Sequence, residues 1–302
     1  MIITQQTLDD LRVTFDKIYG DAYSSYEGMW DELAMRRPST TSKNVYGWLA
    51  HQLKLEEWIG PRIADSLLEH VHEVENRKFQ KTVSISRERI EDDELEIYTG
   101  NILPQLGTAA AKFPDQLLRD TLQANAVGWD GVTLFNDAHP AFDDAGSTYD
   151  NNFALALNPD NFNTVWAAMA SYVGEDGEPQ EVMPNKLIVP PQLRKAALET
   201  VQAATVLQDG TGSAAPTNVL QGWCDVVVMR NLSNEPTTWY LADTTKGVMP
   251  FVFQERTTPE MVARFDPTDP YVFEQDEYVW GVRYRCNMAA SLPFLIAKSV
   301  PA

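Results

Sequence analysis

Along residues 6–20, Leu8, Leu11, Phe15 and Ile18 recur at spacings of three and four, the period that puts apolar side chains on one face of a helix. A helix is expected there, followed by an arm, because Pro38 and a cluster of Ser and Thr interrupt the periodicity. The stretch 55–70 reads as a loop and then a short helix, with Pro61 just inside its start and Asp65 and Glu69 on its outer face. From 79 to 90 the period changes to two. Phe79, Val83 and Ile85 alternate with Gln80, Thr82, Ser84 and Ser86, which predicts a strand with one wet face. The preceding HVHEVENRK predicts a hairpin turning near Glu75 to Lys78.

Between 103 and 127, Leu103, Leu106, Ala110, Phe113, Leu117 and Ala124 return to helical spacing. One long helix is expected, with Pro114 kinking it or opening a second segment and GWDG at 128–131 ending it. Residues 158–173 read as an Asn-capped helix, and KLIV at 186–189 as a short buried strand leading through Pro190 and Pro191 into another helix. After a small-residue loop at 205–218 the pattern is mostly β. In the last long strand Tyr278, Trp280, Val282, Tyr284 and Cys286 share one face, and Arg283 and Arg285 share the other. The expected class is α+β, with no internal repeat and several extensions.

Composition narrows the possibilities. A 302-residue chain with 44% hydrophobic residues can bury roughly three quarters of its unfolded surface. The formal charge is −19, and every successive block of fifty residues is acidic, so no segment carries the basic footprint of a phosphate binder. Any contact with DNA would be weak and non-specific. Two distant cysteines, Cys224 and Cys286, make neither a disulfide framework nor a zinc spacing and fit a reducing compartment. The first fifteen residues carry neither a basic n-region nor an apolar h-region, and no run of 18 apolar residues occurs. Neither a signal peptide nor a membrane span is expected.

Candidate chemistry is sparse. His70 and His72 sit two apart beside Glu73, as a metal pair on a strand could, but a third ligand at helpful spacing is missing. Asp137 and His139 invite a general-base reading, yet no partnered nucleophile accompanies them, and local bonding to backbone before Pro140 accounts for both. The run at 91–96 lacks the central Gly and spaced ligands of a calcium loop. Phosphate-loop, dinucleotide, GxSxG and HExxH motifs are absent. No catalytic residue, metal or cofactor is expected.

What stands out is an unusual ribbon. Arg77, Lys78, Lys81, Arg87 and Arg89 concentrate positive charge in an acidic chain, and Glu91, Asp92, Asp93, Glu94 and Glu96 follow at once. If it protrudes, its apolar side (Phe79, Val83, Ile85) needs cover, and an intersubunit contact would provide it. Reversing Lys78, Lys81, Arg87 and Arg89 should then spare the subunit and abolish assembly.

Four collinear segments carry a family resemblance: WLAHQLKLEEWIGPR (48–62), NRKFQKTVSISRERIEDDELEIY (76–98), GWDGVTLFNDAHP (128–140) and KLIVPPQLRKAA (186–197). Together the chain resembles the major head subunit of Mu-like phages and prophages, the gpT family, from about residue 7 to 300. The resemblance implies the Hong Kong 97 phage capsid fold. It assigns 1–55 to an N-terminal arm, 56–97 to the E-loop region, 98–150 and 250–302 to a peripheral domain with a spine helix at about 103–127, and 151–249 to an axial domain. The eight residues Arg77, Lys78, Phe79, Lys81, Val83, Ile85, Arg87 and Arg89 would then be E-loop contacts between subunits.

The same resemblance implies a homo-oligomeric shell, capsomers within a virion assembled in the host bacterial cytoplasm, and a scaffold, a head-maturation protease, a portal and decoration proteins as partners. Nothing marks a Lys, Asn and Glu set for covalent crosslinking. An encapsulin-like compartment is the alternative within the same fold, separable by whether the particle holds DNA or a cargo enzyme. A metal-dependent hydrolase using Asp137, His139 and the His70/His72 pair is the enzymatic alternative.

Overall fold

The computed structural model describes residues 5–48, 70–92, 94–141, 146–174, 177, 179–205, 217–266 and 268–301. The short helix expected within 55–70 and most of the small-residue loop at 205–218 lie outside them. The described chain begins with helix α1 (Gln5–Ser24), a 3-10 turn (Trp30–Glu32) and strands β1 (Ala34–Pro38) and β2 (Lys43–Trp48). Strands β3 (His70–Glu75) and β4 (Arg77–Ser86) come next, then α2 (Arg87–Glu91), a π-helical turn (Tyr98–Ile102) and the long helix α3 (Leu103–Ala124). Short strands β5 (His139–Pro140), β6 (Thr148–Tyr149) and β7 (Asn152–Phe153) lead to α4 (Pro159–Ala170), β8 (Lys186–Val189), α5 (Arg194–Val201), β9 (Asp225–Val228) and β10 (Trp239–Ala242). Strand β11 (Phe251–Arg264), helix α6 (Pro270–Gln275), and strands β12 (Glu277–Ala290) and β13 (Ile296–Ser299) follow.

Two sheets organise these elements. One has the order β1-β11-β12-β4, with β1 parallel to β11 and the other pairs antiparallel. The second has the order β7-β13-β10-β8-β9. Residues from 250 onward therefore serve both: β11 and β12 build the first sheet, and β13 enters the second between β7 and β10. All four residues of β10 are buried, as a strand enclosed on both faces requires.

Helix α3 lies across the first sheet. Its Leu117, Leu118 and Leu122 join Phe251, Phe253, Tyr284, Cys286 and Met288 in a core that continues through Ile188, Val227, Tyr240 and Ile296 of the second sheet. Helices α4 and α5 cover the second sheet through Phe162, Val165, Met169, Ala197 and Val201, packed on Leu187, Val189, Trp239 and Leu241. Helix α1 places Leu8 and Phe15 against Ile85, Ile90, Tyr98, Leu103 and Trp280, and the Phe15 and Trp280 rings lie 5.0 Å apart.

Local signals explain where α3 starts and stops. Pro104 sits in its first turn, where no amide partner is lost. Asn125 ends it in the left-handed conformation at φ 43°, so the terminator is Asn125 and not the GWDG expected to end it. Pro114 is buried inside one continuous helix and opens no second segment. Asn158 caps α4 as expected, its Oδ1 accepting from the Asn161 amide at 2.8 Å.

The expected hairpin is in a different place. Strand β3 pairs with β2, from Lys43↔Glu75 to Trp48↔His70, while β4 pairs with β12 from Glu277↔Ser86 to Cys286↔Arg77. Only Asn76 separates β3 from β4, so the chain passes from a two-stranded ribbon into the first sheet without reversing. The apolar side of β4 is consequently covered within the subunit. Ile85 is 1% exposed, and Val83 packs against the α1 cluster.

Candidate intersubunit surface

The ribbon of β2 and β3 is anchored at its base. Tyr46 donates its hydroxyl hydrogen to Gln254 Oε1 at 2.9 Å, Gln254 Nε2 donates to the Val74 carbonyl at 3.2 Å, and Asn287 Nδ2 donates to the Glu75 carbonyl at 2.8 Å. Buried Asn76 donates to Ser39 Oγ at 2.7 Å and the Thr41 carbonyl at 2.8 Å. On the other face of this ribbon, Val45 is 59% exposed, and Lys43 pairs with Glu73 at 3.3 Å in the open.

The eight residues singled out from the sequence divide three ways. Phe79 lies 4.5 Å from the Phe113 ring of α3 and, with Val83 and Ile85, contributes to the subunit's own packing. Lys81 shares their side of β4 and borders a cavity of about 320 Å³ lined by Phe79, Leu106, Ala110, Phe113 and Val282. Arg87 is occupied by Glu91 at 3.1 Å, and Arg89 Nη1 donates to Tyr98 Oη at 3.0 Å. Arg77 lies over the Phe79 ring, 5.3 Å from its centroid. Lys78, opposite Arg285 on β12, is exposed. The exposed charge of β4 is thus carried by Lys78 on one face and by Arg77 and Lys81 on the other, and Arg87 and Arg89 also have local work.

The chemical candidates resolve into structural roles. Asp137 Oδ1 accepts from Asn152 Nδ2 at 2.9 Å. His139 is fully buried, with Nδ1 2.6 Å from Asp130 Oδ2 and Nε2 3.2 Å from the Leu134 carbonyl. Its ring stacks on Tyr149 at 5.1 Å. His72 is half-buried, and burial pushes its imidazole below the ordinary value. Among the described residues no three His, Cys, Asp or Glu side chains converge as a metal set. Cys224 and Cys286 are free and buried. Burial, reinforced by Asp225 beside one and Glu255 beside the other, pushes both thiols up to about 12, so neither is a ready nucleophile.

Two ties escaped the sequence reading. Asp115, 4% exposed on α3, accepts from Tyr26 Oη at 2.7 Å and from the Met29 and Trp30 amides at 3.0 and 2.8 Å, fixing the N-terminal segment to the long helix. Fully buried Asn151 donates to the carbonyls of Leu134, Pro293 and Ile296 at 2.8, 3.0 and 3.2 Å, and accepts from the Asn136 amide at 2.9 Å. Their partners are up to 145 residues away, and no local pattern announces them.

Known proteins agree with this architecture. The family model for the Mu-like prophage major head subunit gpT matches residues 8–154, 149–232 and 228–300. The chain is 27% identical over 287 residues to the major capsid protein of Escherichia phage Mu, covering 94% of this chain and 70% of that one. It is 25% identical over 288 residues to the Mu-like prophage FluMu major head subunit of Haemophilus influenzae, covering 95% of this chain and 70% of the relative. A subunit of the solved procapsid of bacteriophage JBD30 superposes with a TM-score of 0.59 at 27% identity, over 99% of this chain and 77% of that chain. The α+β architecture is the Hong Kong 97-type capsid fold, and the role is that of a structural head protein and not of an enzyme. The chain belongs to the Mu-like gpT major head subunit family.

Proposed function

We propose that copies of this capsid subunit close into hexamers and pentamers of an icosahedral head that encloses double-stranded DNA, assembled in the host bacterial cytoplasm. Scaffold, head-maturation protease, portal and decoration proteins are its proposed partners. In this reading 98–150 and 250–302 form the peripheral domain, with β13 crossing back to the axial domain at 151–249. The observation that carries it is the β2–β3 ribbon, which joins neither large sheet and is tied to the subunit by side-chain hydrogen bonds through Tyr46, Gln254 and Asn287. An isolated two-stranded ribbon is marginal in water, and a neighbouring copy supplies what its own subunit does not. The exposed cations Arg77, Lys78 and Lys81 accompany it to the contact, and Phe79, Val83 and Ile85 act from behind by holding β4 in place.

The charge of −19 suits such a wall, because weak phosphate binding lets DNA slide during packaging. Electron microscopy and mass photometry of the purified full chain, across salt and concentration and with its scaffold partner, test the reading. Closed particles are expected. A compact monomer under every condition would overturn it. Nuclease-resistant DNA inside particles from infected cells separates a phage head from an encapsulin-like shell, which would hold a cargo enzyme instead.

A further inference from the structure

The outer face of the first sheet carries an unpaired basic patch. Arg283 and Arg285 project from β12 away from the buried Val282, Tyr284 and Cys286, and Lys78 of β4 is the cross-strand partner of Arg285. Arg256 lies at the β11 irregularity between Glu255 and Thr257, and its charge reaches Arg285. None of these four side chains is in an ion pair among the described residues. Glu260 faces Arg283 across the strands, but no ion pair within 4 Å joins them. Arg285 Nε is buried without a hydrogen-bond partner. Gathering like charges on a strand face is unfavourable for an isolated subunit, so the arrangement calls for an external acceptor.

The same subunit carries the complement. Glu88, Asp92, Glu94 and Glu96 are exposed around α2, and none of them is in an ion pair among the described residues. The acidic turn and the basic patch lie at opposite ends of β4. From Lys78 to Ser86 the strand advances about 26 Å, so the two cannot meet within one chain.

We infer that the basic patch of Lys78, Arg256, Arg283 and Arg285 receives the carboxylates Glu88, Asp92, Glu94 and Glu96 of a second copy, making a head-to-tail contact whose two halves occur once on every subunit. Such a heterologous contact propagates and closes into a ring when its rotation allows. It also sets docking register, since like-charged alternatives are rejected. The inference rests on the shell reading above and adds the residues that meet.

The test uses the full chain and three variants: Arg283→Glu with Arg285→Glu; Asp92→Lys with Glu94→Lys and Glu96→Lys; and all five together. Each one-sided variant should keep the circular dichroism and melting of the unmodified subunit and lose particle yield by roughly tenfold, and the combined variant should recover it. Zero-length carbodiimide coupling of unmodified particles should join Lys78 to Asp92, Glu94 or Glu96, with Lys43–Glu73 at 3.3 Å as the intrachain control. Because the coupling uses the unmodified protein, it decides the question even if a variant misfolds. Normal yield from both one-sided variants, without that coupled peptide, overturns the contact and leaves the shell reading standing. Loss of duplex DNA binding in the Arg variant at unchanged particle yield also overturns it, assigning the face to nucleic acid. Failure of the unmodified chain to form particles removes both.

Discussion

At Gly107 the backbone of α3 packs directly against α1. A Cβ there would lie 2.5 Å from the Tyr19 carbonyl oxygen and 2.9 Å from the Ala22 Cβ, so side-chain freedom is not what keeps glycine in a helix that would otherwise favour alanine. Gly107→Ala is expected to destabilise the subunit by about 1–3 kcal/mol, although alanine gains about 1 kcal/mol in helix propensity; urea unfolding measures the balance. Asn151→Leu removes hydrogen bonds to three carbonyls and from the Asn136 amide, with the Leu134 carbonyl keeping another neighbour in His139 Nε2, and should cost about 2 kcal/mol or more, read the same way. At His72 burial depresses the folded-state imidazole, so the unfolded chain binds the proton more readily. Stability from this group is present above about pH 6.5 and falls as pH drops below it; His72→Gln should flatten that part of the pH-melting curve. The sequence reading assigned Asp137 and His139 to local backbone bonding; His139 does reach the Leu134 carbonyl but is held by the Asp130 carboxylate, and Asp137 pairs with the Asn152 side chain. It missed Asp130, Asp115 and Asn151, because a polar residue reveals its type in sequence and its partner only in space.

At the scale of elements, alternation located β4 and the inward face of β12, and spacing by three and four located α1 and α3. Pairing was not legible. A period of two states which side of a strand is wet and is silent about which strand lies alongside, so β4 was given to β3 when its hydrogen bonds go to β12. The four-fold reversal of Lys78, Lys81, Arg87 and Arg89 is correspondingly no clean test of assembly, because Arg87 and Arg89 hold Glu91 and Tyr98 within the subunit. The two kinds of strand should differ in dynamics. Strand β12 is bonded on both sides by β11 and β4, and its amides should exchange on the order of a hundredfold more slowly than those of β2 and β3, which have only each other. Hydrogen exchange on the unassembled subunit gives both rates.

For the whole molecule, charge acts at two ranges. Copies bearing −19 repel one another over distances that salt screens, whereas close contacts between opposite charges weaken only as screening reaches a few ångströms. Particle yield should therefore rise from about 0.01 M salt, pass through a maximum and decline toward about 1 M; light scattering follows it, and a steady rise to the highest salt would show that close charge contacts contribute little.

Strand β13, residues 296–299, fills the gap between β7 and β10, yet it is synthesised after every other described strand. Until it emerges from the ribosome, the second sheet has an open seam beside Trp239 and Leu241, and Asn151 lacks two of its carbonyl partners. A polypeptide abandoned before that point would have the first sheet closed and the second still open along β10. Translation that stops before β13 thus yields castaways for proteolysis, and not building blocks able to enter a lattice and spoil it.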